Sequence, residues 1–483
     1  MYYQNRLLKI INMLEGCYMT IQGIIMGFSN KLVKYISYPL WMIKDKRVKL
    51  YKYLWEYRKY NSLSLEQIRL SQKKKLMTLL RHASSHSRYY GLLFKKCGIT
   101  SDDLNEPENA LKKLPILTKE IIGKNIDEII ADNISKKLIF QDSTGGSTGT
   151  PLVFYRDWDC LIKRRAQELF FDKWIGYELG DRVALFVAAR HHPRGIKGFK
   201  SRLRNATCDR ILAFDPYRTD RNYMEGFLSK LLAFKPDMIK CFPNSLYIFA
   251  NFLKEKGVNK IKVRSISCTG ETLHDYQREL FQEVFHCPVY EKYGTFEVGV
   301  AACESSEHNG MHMFLDGVFF EFINSEGNSA KPGEMAQLIV TDLFNYGFPL
   351  IRYQIGDVGA FSEKSCNYCS PLPLMSRLYG RDRDILVAQN GNPKPGYLFV
   401  EVFNKNHIPG QFQVIQHDRD NVFVKAVKKD GYLIDHERLI LEKFKILLGE
   451  NMKIRIEYVK EILREPSGKF KYVHSMISPF SQR

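Results

Sequence analysis

The chain has 483 residues, 45% hydrophobic, 26% charged and 13% aromatic, which excludes wholesale disorder, a polytopic membrane protein and a small disulfide-stapled scaffold. Its 72 Lys and Arg against 53 Asp and Glu give a formal net charge of +19. Residues 1–100 alone hold 19 basic and 4 acidic side chains, so the basic character belongs to the N-terminal fifth, whose natural partner is an anionic surface.

Taken in chain order, residues 7–43 predict amphipathic helices, with Leu7, Leu8, Ile10, Ile11 and Leu14 on one side and Lys31, Lys34, Lys44, Lys46 and Arg47 nearby. Two placements stay open for them, peripherally on a membrane surface or on the protein's own core. The longest early run without charge, 16–30, is too short to span a bilayer, which needs about 20 apolar residues. Residues 64–98 carry Leu70, Leu76, Leu79 and Leu80 at helical spacing and are followed by the capping cluster Thr100-Ser-Asp-Asp103. Between 180 and 360, β-rich runs (183–187, 238–241, 264–267, 289–290, 337–340) alternate with helical stretches (221–234, 244–257, 272–285). That alternation predicts α/β layers around a mostly parallel sheet. After Arg381, short strands and two helical runs fit a small α+β domain. Ten scattered cysteines and the absence of a clean secretory signal point to a reducing cytoplasm. No finger spacing, basic-region heptad or aromatic RNA-binding signature appears, so nucleic acid is not an expected partner.

The most informative segment is Asp142-Ser-Thr-Gly-Gly-Ser-Thr-Gly-Thr-Pro-Leu152, which interleaves glycines with hydroxyl residues directly after an apolar run. Glycines let backbone N–H groups turn toward a phosphate, and hydroxyls add donors around the same anion. No Gly-Lys-Ser/Thr closes it, so it is not a Walker loop; by itself it reads equally as a flexible linker. Downstream follow Thr269-Gly-Glu271, Tyr293-Gly-Thr-Phe-Glu297, Arg352-Tyr-Gln-Ile-Gly-Asp357, Gly380-Arg-Asp-Arg-Asp384 and Ser467-Gly-Lys469.

In that order and spacing, over roughly residues 70–480, the chain resembles the adenylate-forming superfamily of acyl-CoA synthetases, luciferases and peptide-synthetase adenylation domains. It is most similar to the phenylacetate-CoA ligase-like branch, which includes capsular polysaccharide members. The resemblance implies an α/β fold: a large N-terminal adenylate-forming domain of layered sheets and helices (70–380) with a small mobile α+β C-terminal lid (381–483); the charge and spacing noted above add a basic helical extension (1–69) before them. It implies that Ser143, Thr144, Gly145, Gly146, Ser147, Thr148 and Gly149 hold the β- and γ-phosphates of ATP, with Gly270 and Glu271 bordering the nucleotide. Tyr293 would then stack beside adenine next to Gly294, Thr295 contact the α-phosphate, and Glu297 hold Mg²⁺, a hard cation suited to carboxylate and phosphate oxygens. Asp357 would accept the ribose hydroxyls, Arg381 support ribose or phosphate, and Lys469 enter from the lid as the catalytic cation. Two positions depart from the pattern: Thr150 stands where many relatives carry Lys, and Arg383 occupies the hinge position.

The same resemblance suggests a structural Zn²⁺ on Cys303, His312, Cys366 and Cys369, with His308 as a substitute, since thiolate and imidazole suit that cation; free cysteines are the alternative. It places Phe242, Asn244, Ser245 and Tyr247 at the acyl pocket, although aromatic residues at such positions are more often core. The stretch 190–204 holds six basic residues and no acid; it is either a solvated loop or a dock for CoA, an acidic carrier or another anion. The expected activity is AMP-forming activation of a small carboxylic acid, with CoA the implied acceptor. An amide-forming ligase acting on a sugar and a non-catalytic assembly scaffold are the rivals.

Overall fold

Ser64 starts the first long helix, Leu65–His86, with a reciprocal cap: its hydroxyl accepts from the Gln67 N–H while the Gln67 side chain accepts from the Ser64 N–H. The helical spacing noted above then buries Ile68, Leu76, Leu79, Leu80 and Ala83 on one face. A second helix, Arg88–Lys96, follows at once. The computed structural model containing them describes residues 29–143, 151–187, 198–258, 260–363, 370–463 and 470–480. The described chain forms two compact units.

Strands run in order as β1 (Ile139–Ser143), β2 (Val153–Asp157), β3 (Val183–Phe186), β4 (Ile211–Ala213), β5 (Met238–Cys241), β6 (Ile266–Thr269), β7 (Val289–Thr295), β8 (Gly299–Glu304), β9 (Met311–Met313), β10 (Val318–Ile323), β11 (Ala336–Asp342), β12 (Tyr353–Ser362) and β13 (Leu374–Arg381). The first unit takes its described residues from within 29–52, 172–267 and 280–289. In it β3 pairs in parallel with both β4 and β5, and Phe186, Phe214, Phe227 and Phe249 meet with ring centroids 4.9–5.5 Å apart. The segment 30–44 is helical and docks on this unit. Asn30 donates to Asp181 (3.1 Å) and Asp237 (3.3 Å) and accepts from Arg210 (2.7 Å). Gly180 has φ +96°, and a Cβ there would lie 2.5 Å from the Asn30 carbonyl oxygen, so only glycine permits the approach. Pro39 has no N–H to offer the helix, and the ladder just before it widens into a π turn at Val33–Ser37.

The second unit takes its residues from 53–171, 268–279 and 290–483. Its strands stand in the order β10-β11-β12-β13-β9-β8-β7, and every neighbouring pair in that run is antiparallel. The expectation of a mostly parallel sheet is therefore corrected: β3 to β5 obey it, but from β7 onward short connections replace helical crossovers, and a short link joins strands only antiparallel. Tyr57, Phe314 and Phe344 form an aromatic cluster with Phe171 of the helix Trp158–Trp174, Tyr57 meeting Phe314 edge-on at 5.0 Å.

Beyond residue 381 come β14 (Ile385–Val387), β15 (Pro393–Pro395), β16 (Gly410–Gln416), β17 (Asn421–Lys428), β18 (Lys453–Tyr458) and β19 (Val473–Ser475). A four-stranded sheet of order β18-β17-β16-β19 carries the helices Gly396–Lys405 and Ile434–Leu448. It has a core of its own, in which Phe403 stacks on Phe412 at 3.5 Å and Phe399 meets Phe444 edge-on at 4.9 Å. The α+β C-terminal domain expected from sequence is present.

Candidate active site

The motif Tyr293-Gly-Thr-Phe-Glu297 forms the end of β7 and the turn into β8. The ladder slips between Tyr293 and Gly294, and the Thr295 hydroxyl accepts from the Val298 N–H at 3.3 Å. Two glycines make the turn possible. A Cβ on Gly294 would sit 2.9 Å from the Gly299 carbonyl oxygen; one on Gly299, at φ +68°, would sit 2.7 Å from Arg164 Cδ. The turn thereby holds Glu297 inward, buried, with its Oε1 accepting from the Tyr353 hydroxyl at 3.1 Å.

The second motif, on β12, lies beside the first. Tyr293 donates its hydroxyl to Asp357 Oδ2 at 2.8 Å. Asp357 stands opposite Arg381 in the β12–β13 ladder, and Arg381 Nε reaches Asp357 Oδ1 at 2.9 Å. Arg381 also donates to the Ile355 carbonyl at 2.9 Å, over Gly356, whose φ is +82°. Burial and the neighbouring carboxylates push the Tyr293 and Tyr353 phenols upward, so both remain protonated donors. The Asp357 carboxylate holds the Arg381 guanidinium above its ordinary range against the opposing effect of burial. Two of about four lone-pair sites on Asp357 are thus committed, leaving acceptor capacity for two further hydroxyls.

Tyr353 was not singled out from sequence, although it stands inside a motif that was. Also missed was the pair behind the turn: Arg164 from the helix Trp158–Trp174 contacts Asp342 at the end of β11, both buried. Arg164 donates to Gln167 at 3.0 Å, and Asp342 accepts from the Phe344 N–H at 2.9 Å. Within the basic triplet Lys163-Arg164-Arg165 nothing in the sequence marks Arg164 as the buried one. Arg352, within the β12 motif, instead pairs with Glu321 at 2.9 Å and supports the sheet.

Gly270 has φ +77°, and Thr272 beside Glu271 has its hydroxyl 3.7 Å from where a Gly380 Cβ would stand, which brings those two motifs together. Ser143 ends β1 opposite Val153 of β2, so both flanks of the glycine-rich loop are anchored in a hairpin. Thr144, Gly145, Gly146, Ser147, Thr148 and Gly149 lie outside the described residues, as do Lys469, Cys366, Cys369 and most of the basic stretch 190–204. Cys303 and His312 are direct cross-strand partners on β8 and β9, both fully buried, and burial lowers the His312 imidazole. His308 is occupied differently, facing Glu304 and Arg278, each at 3.3 Å. Among the described residues no group of three or more His, Cys, Asp or Glu is arranged to hold a metal ion. Phe242, Asn244 and Ser245 belong to the first unit, where they are buried at the start of the helix Pro243–Glu255, with Tyr247 one turn on.

The fold is like that of solved CoA ligases. It matches 2-hydroxyisobutyryl-CoA ligase in the postadenylation state with a TM-score of 0.69, covering 86% of this chain and 91% of that one at 14% identity. The same ligase with 2-HIB-AMP and CoA gives a TM-score of 0.57 at 15% identity, with the same coverage. In sequence the chain is similar to a capsular protein and to phenylacetate-coenzyme A ligases. It is 25% identical to Protein CapK of Staphylococcus aureus over 83% of this chain and 88% of that protein. It is 20% identical to the phenylacetate-coenzyme A ligase of Pseudomonas putida over 74% of this chain and 81% of that enzyme. Residues 398–476 match the family described as the CapK C-terminal domain.

Proposed function

We propose that the protein is an AMP-forming ligase that activates a carboxylic acid with ATP and passes the acyl group to CoA, in the setting of cell-surface polysaccharide biosynthesis. The observation that carries the reading is the convergence of Tyr293, Asp357 and Arg381 beside Glu297 and Tyr353. Similarity to CapK supports the capsular setting, and similarity to phenylacetate-CoA ligases supports the acid-thiol chemistry.

In this reading Asp357 accepts the two ribose hydroxyls of ATP, Arg381 fixes that carboxylate, and the adenine lies along Tyr293. Ser143 and the loop through Gly149 receive the β- and γ-phosphates, and Gly270 and Glu271 border the nucleotide. Glu297, oriented by Tyr353, supplies a hard oxygen ligand of the kind Mg²⁺ takes. That ion, when bound, neutralises charge on the phosphates. Thr295 contacts the α-phosphate. A substrate carboxylate oxygen attacks the α-phosphorus, the bond to the bridging oxygen breaks, and pyrophosphate leaves with that electron pair. Lys469, carried by the lid 381–483, bridges the carboxylate and α-phosphate as negative charge develops. The CoA thiol then adds to the acyl carbon, losing its proton, and AMP departs. Phe242, Asn244, Ser245 and Tyr247 line the acyl pocket of the 70–380 domain.

A structural zinc on Cys303, His312, Cys366 and Cys369 belongs to the same reading; the cross-strand placement of the first two supports it, and metal analysis of native protein tests it. For the ligase itself, purified protein with Mg-ATP and a panel of aryl, fatty, amino and uronic acids is followed for pyrophosphate and products, with and without CoA. Acid-dependent AMP and an acyl-CoA are expected. An amide on an amino sugar in place of the thioester identifies the other acceptor class. ATP binding without turnover across the panel overturns the ligase reading in favour of a scaffold.

A further inference from the structure

We propose that the first unit carries a docking surface for an anionic lipid bilayer, formed by the outer face of the helical segment 30–44 together with the neighbouring helix Phe199–Arg204. The inner face of the first segment is ordinary: Val33, Tyr38 and Met42 are buried against the unit. Its outer face is not. Ile36, Leu40 and Ile43 recur at i, i+4 and i+7 and are 53–62% exposed, with Tyr35 beside them at 68%. A surface helix normally spends one apolar stripe on its core and turns polar residues to water; this one carries a second stripe facing out.

The neighbouring helix repeats the feature. Trp41 donates to the Thr207 hydroxyl at 3.0 Å, and Arg204 pairs with Asp45 at 2.7 Å, which fixes the two elements side by side. From that second helix Phe199 projects, 74% exposed, with Leu203 one turn on. Clustered exposed apolar side chains of this kind mark an interaction surface.

Charge decides the occupant. Between residues 29 and 52 there are seven Lys or Arg and a single acid, Asp45, and that acid is held by Arg204. Exposed Lys31, Lys44 and Lys46 flank the first stripe, and exposed Lys200 and Arg202 flank Phe199. An apolar stripe bordered by cations fits the boundary of an anionic membrane, where the side chains enter the acyl region and the cations meet headgroups. A second copy fits poorly, because a two-fold contact would bring two basic rims face to face. No helix among the described residues is long and apolar enough to cross a membrane, so this contact lies on the surface. The proposal stands independently of the ligase chemistry.

The test is sedimentation of the full chain with vesicles of phosphatidylcholine alone or of equal parts phosphatidylcholine and phosphatidylglycerol. Binding only to the anionic vesicles is expected, weakening as salt rises. The Ile36→Ser/Leu40→Ser/Ile43→Ser/Phe199→Ser variant should lose about tenfold or more of the affinity, with an unchanged thermal midpoint. The Lys44→Glu/Lys46→Glu/Lys200→Glu variant should lose binding similarly, and it reads the same surface if the apolar variant folds poorly. Absence of binding by the wild-type chain overturns the proposal. So does undiminished binding by both variants, which assigns the contact to another segment such as residues 1–28. A dimer that the apolar variant dissociates, without vesicle binding, also overturns it and makes the face a contact between copies.

Discussion

Replacing Asp357 separates its observed contacts with Tyr293 and Arg381 from its proposed role as acceptor of the nucleotide ribose. In the structure Oδ2 receives the Tyr293 hydroxyl at 2.8 Å and Oδ1 the Arg381 Nε–H at 2.9 Å. In Asp357→Asn the amide oxygen must face Arg381, which can only donate, while the NH₂ faces Tyr293, whose hydroxyl can also accept. The geometry survives, but two charge-assisted ribose bonds become neutral ones, a loss of about 1–1.5 kcal/mol and roughly tenfold in ATP affinity. Asp357→Ala removes both bonds, about 3 kcal/mol and roughly a hundredfold. Arg381 is 35% exposed in its side chain, so its release to solvent costs stability little, about 1 kcal/mol or less. The assay is titration calorimetry with ATP and with 2′-deoxy-ATP. Wild type should prefer ATP by about tenfold, the loss of one charge-assisted bond, and Asp357→Ala should show no preference. If Asp357→Ala still discriminates between the two nucleotides as wild type does, the ribose is held elsewhere and the assignment fails.

Lys469→Ala should nearly abolish pyrophosphate release while ATP binding by calorimetry stays within about threefold, because a transition-state cation contributes little to ground-state binding; normal turnover would refute its role. Arg164→Met should destabilise the chain by about 3–5 kcal/mol in chemical denaturation, since it strands the fully buried Asp342 as an unpaired charge. Arg164→Met/Asp342→Asn should recover most of that loss, because the amide still accepts from the Phe344 N–H; a double variant no better than the single one would show that packing, not charge, is at stake. Burial and Glu304 push the Glu291 carboxyl up to about 7 from an ordinary 4.5. Between those values the native state holds a proton that the unfolded chain has released, so this group's contribution falls as pH rises and stays unfavourable above about 7. Glu291→Gln should accordingly raise the thermal midpoint at pH 8, by about 1–3 kcal/mol in stability, and change nothing at pH 4. An equal shift at both pH values would trace the effect to packing instead.

Much of the secondary structure was legible from the chain alone. The run 221–234 folds as the helix Arg221–Phe234 at the expected bounds, and 183–187 and 238–241 fold as β3 and β5. These elements rest on local signals, such as the Asp220 cap accepting from the Tyr223 N–H, that act within a turn. The family resemblance grouped Tyr293, Glu297, Asp357 and Arg381, and β7, β12 and β13 place these side chains near one another. The direction of strand pairing after residue 289 was not legible, because it is set by which strands become neighbours in the folded sheet, as β13 and β9 do across about 60 residues.

Legible from the chain alone is therefore the kind and order of many elements, since periodicity and capping are properties of neighbouring residues. Only the tertiary structure decided which groups meet. Tyr293 and Asp357 are 64 positions apart, Glu297 and Tyr353 56, and Arg164 and Asp342 178. Strand register and burial chose those partners, and both depend on the whole chain being folded. The same holds for the segment 30–44: its pattern marks Val33, Tyr38, Met42, Ile36, Leu40 and Ile43 alike as apolar. Docking on the first unit alone determined which of them are covered and which face outward.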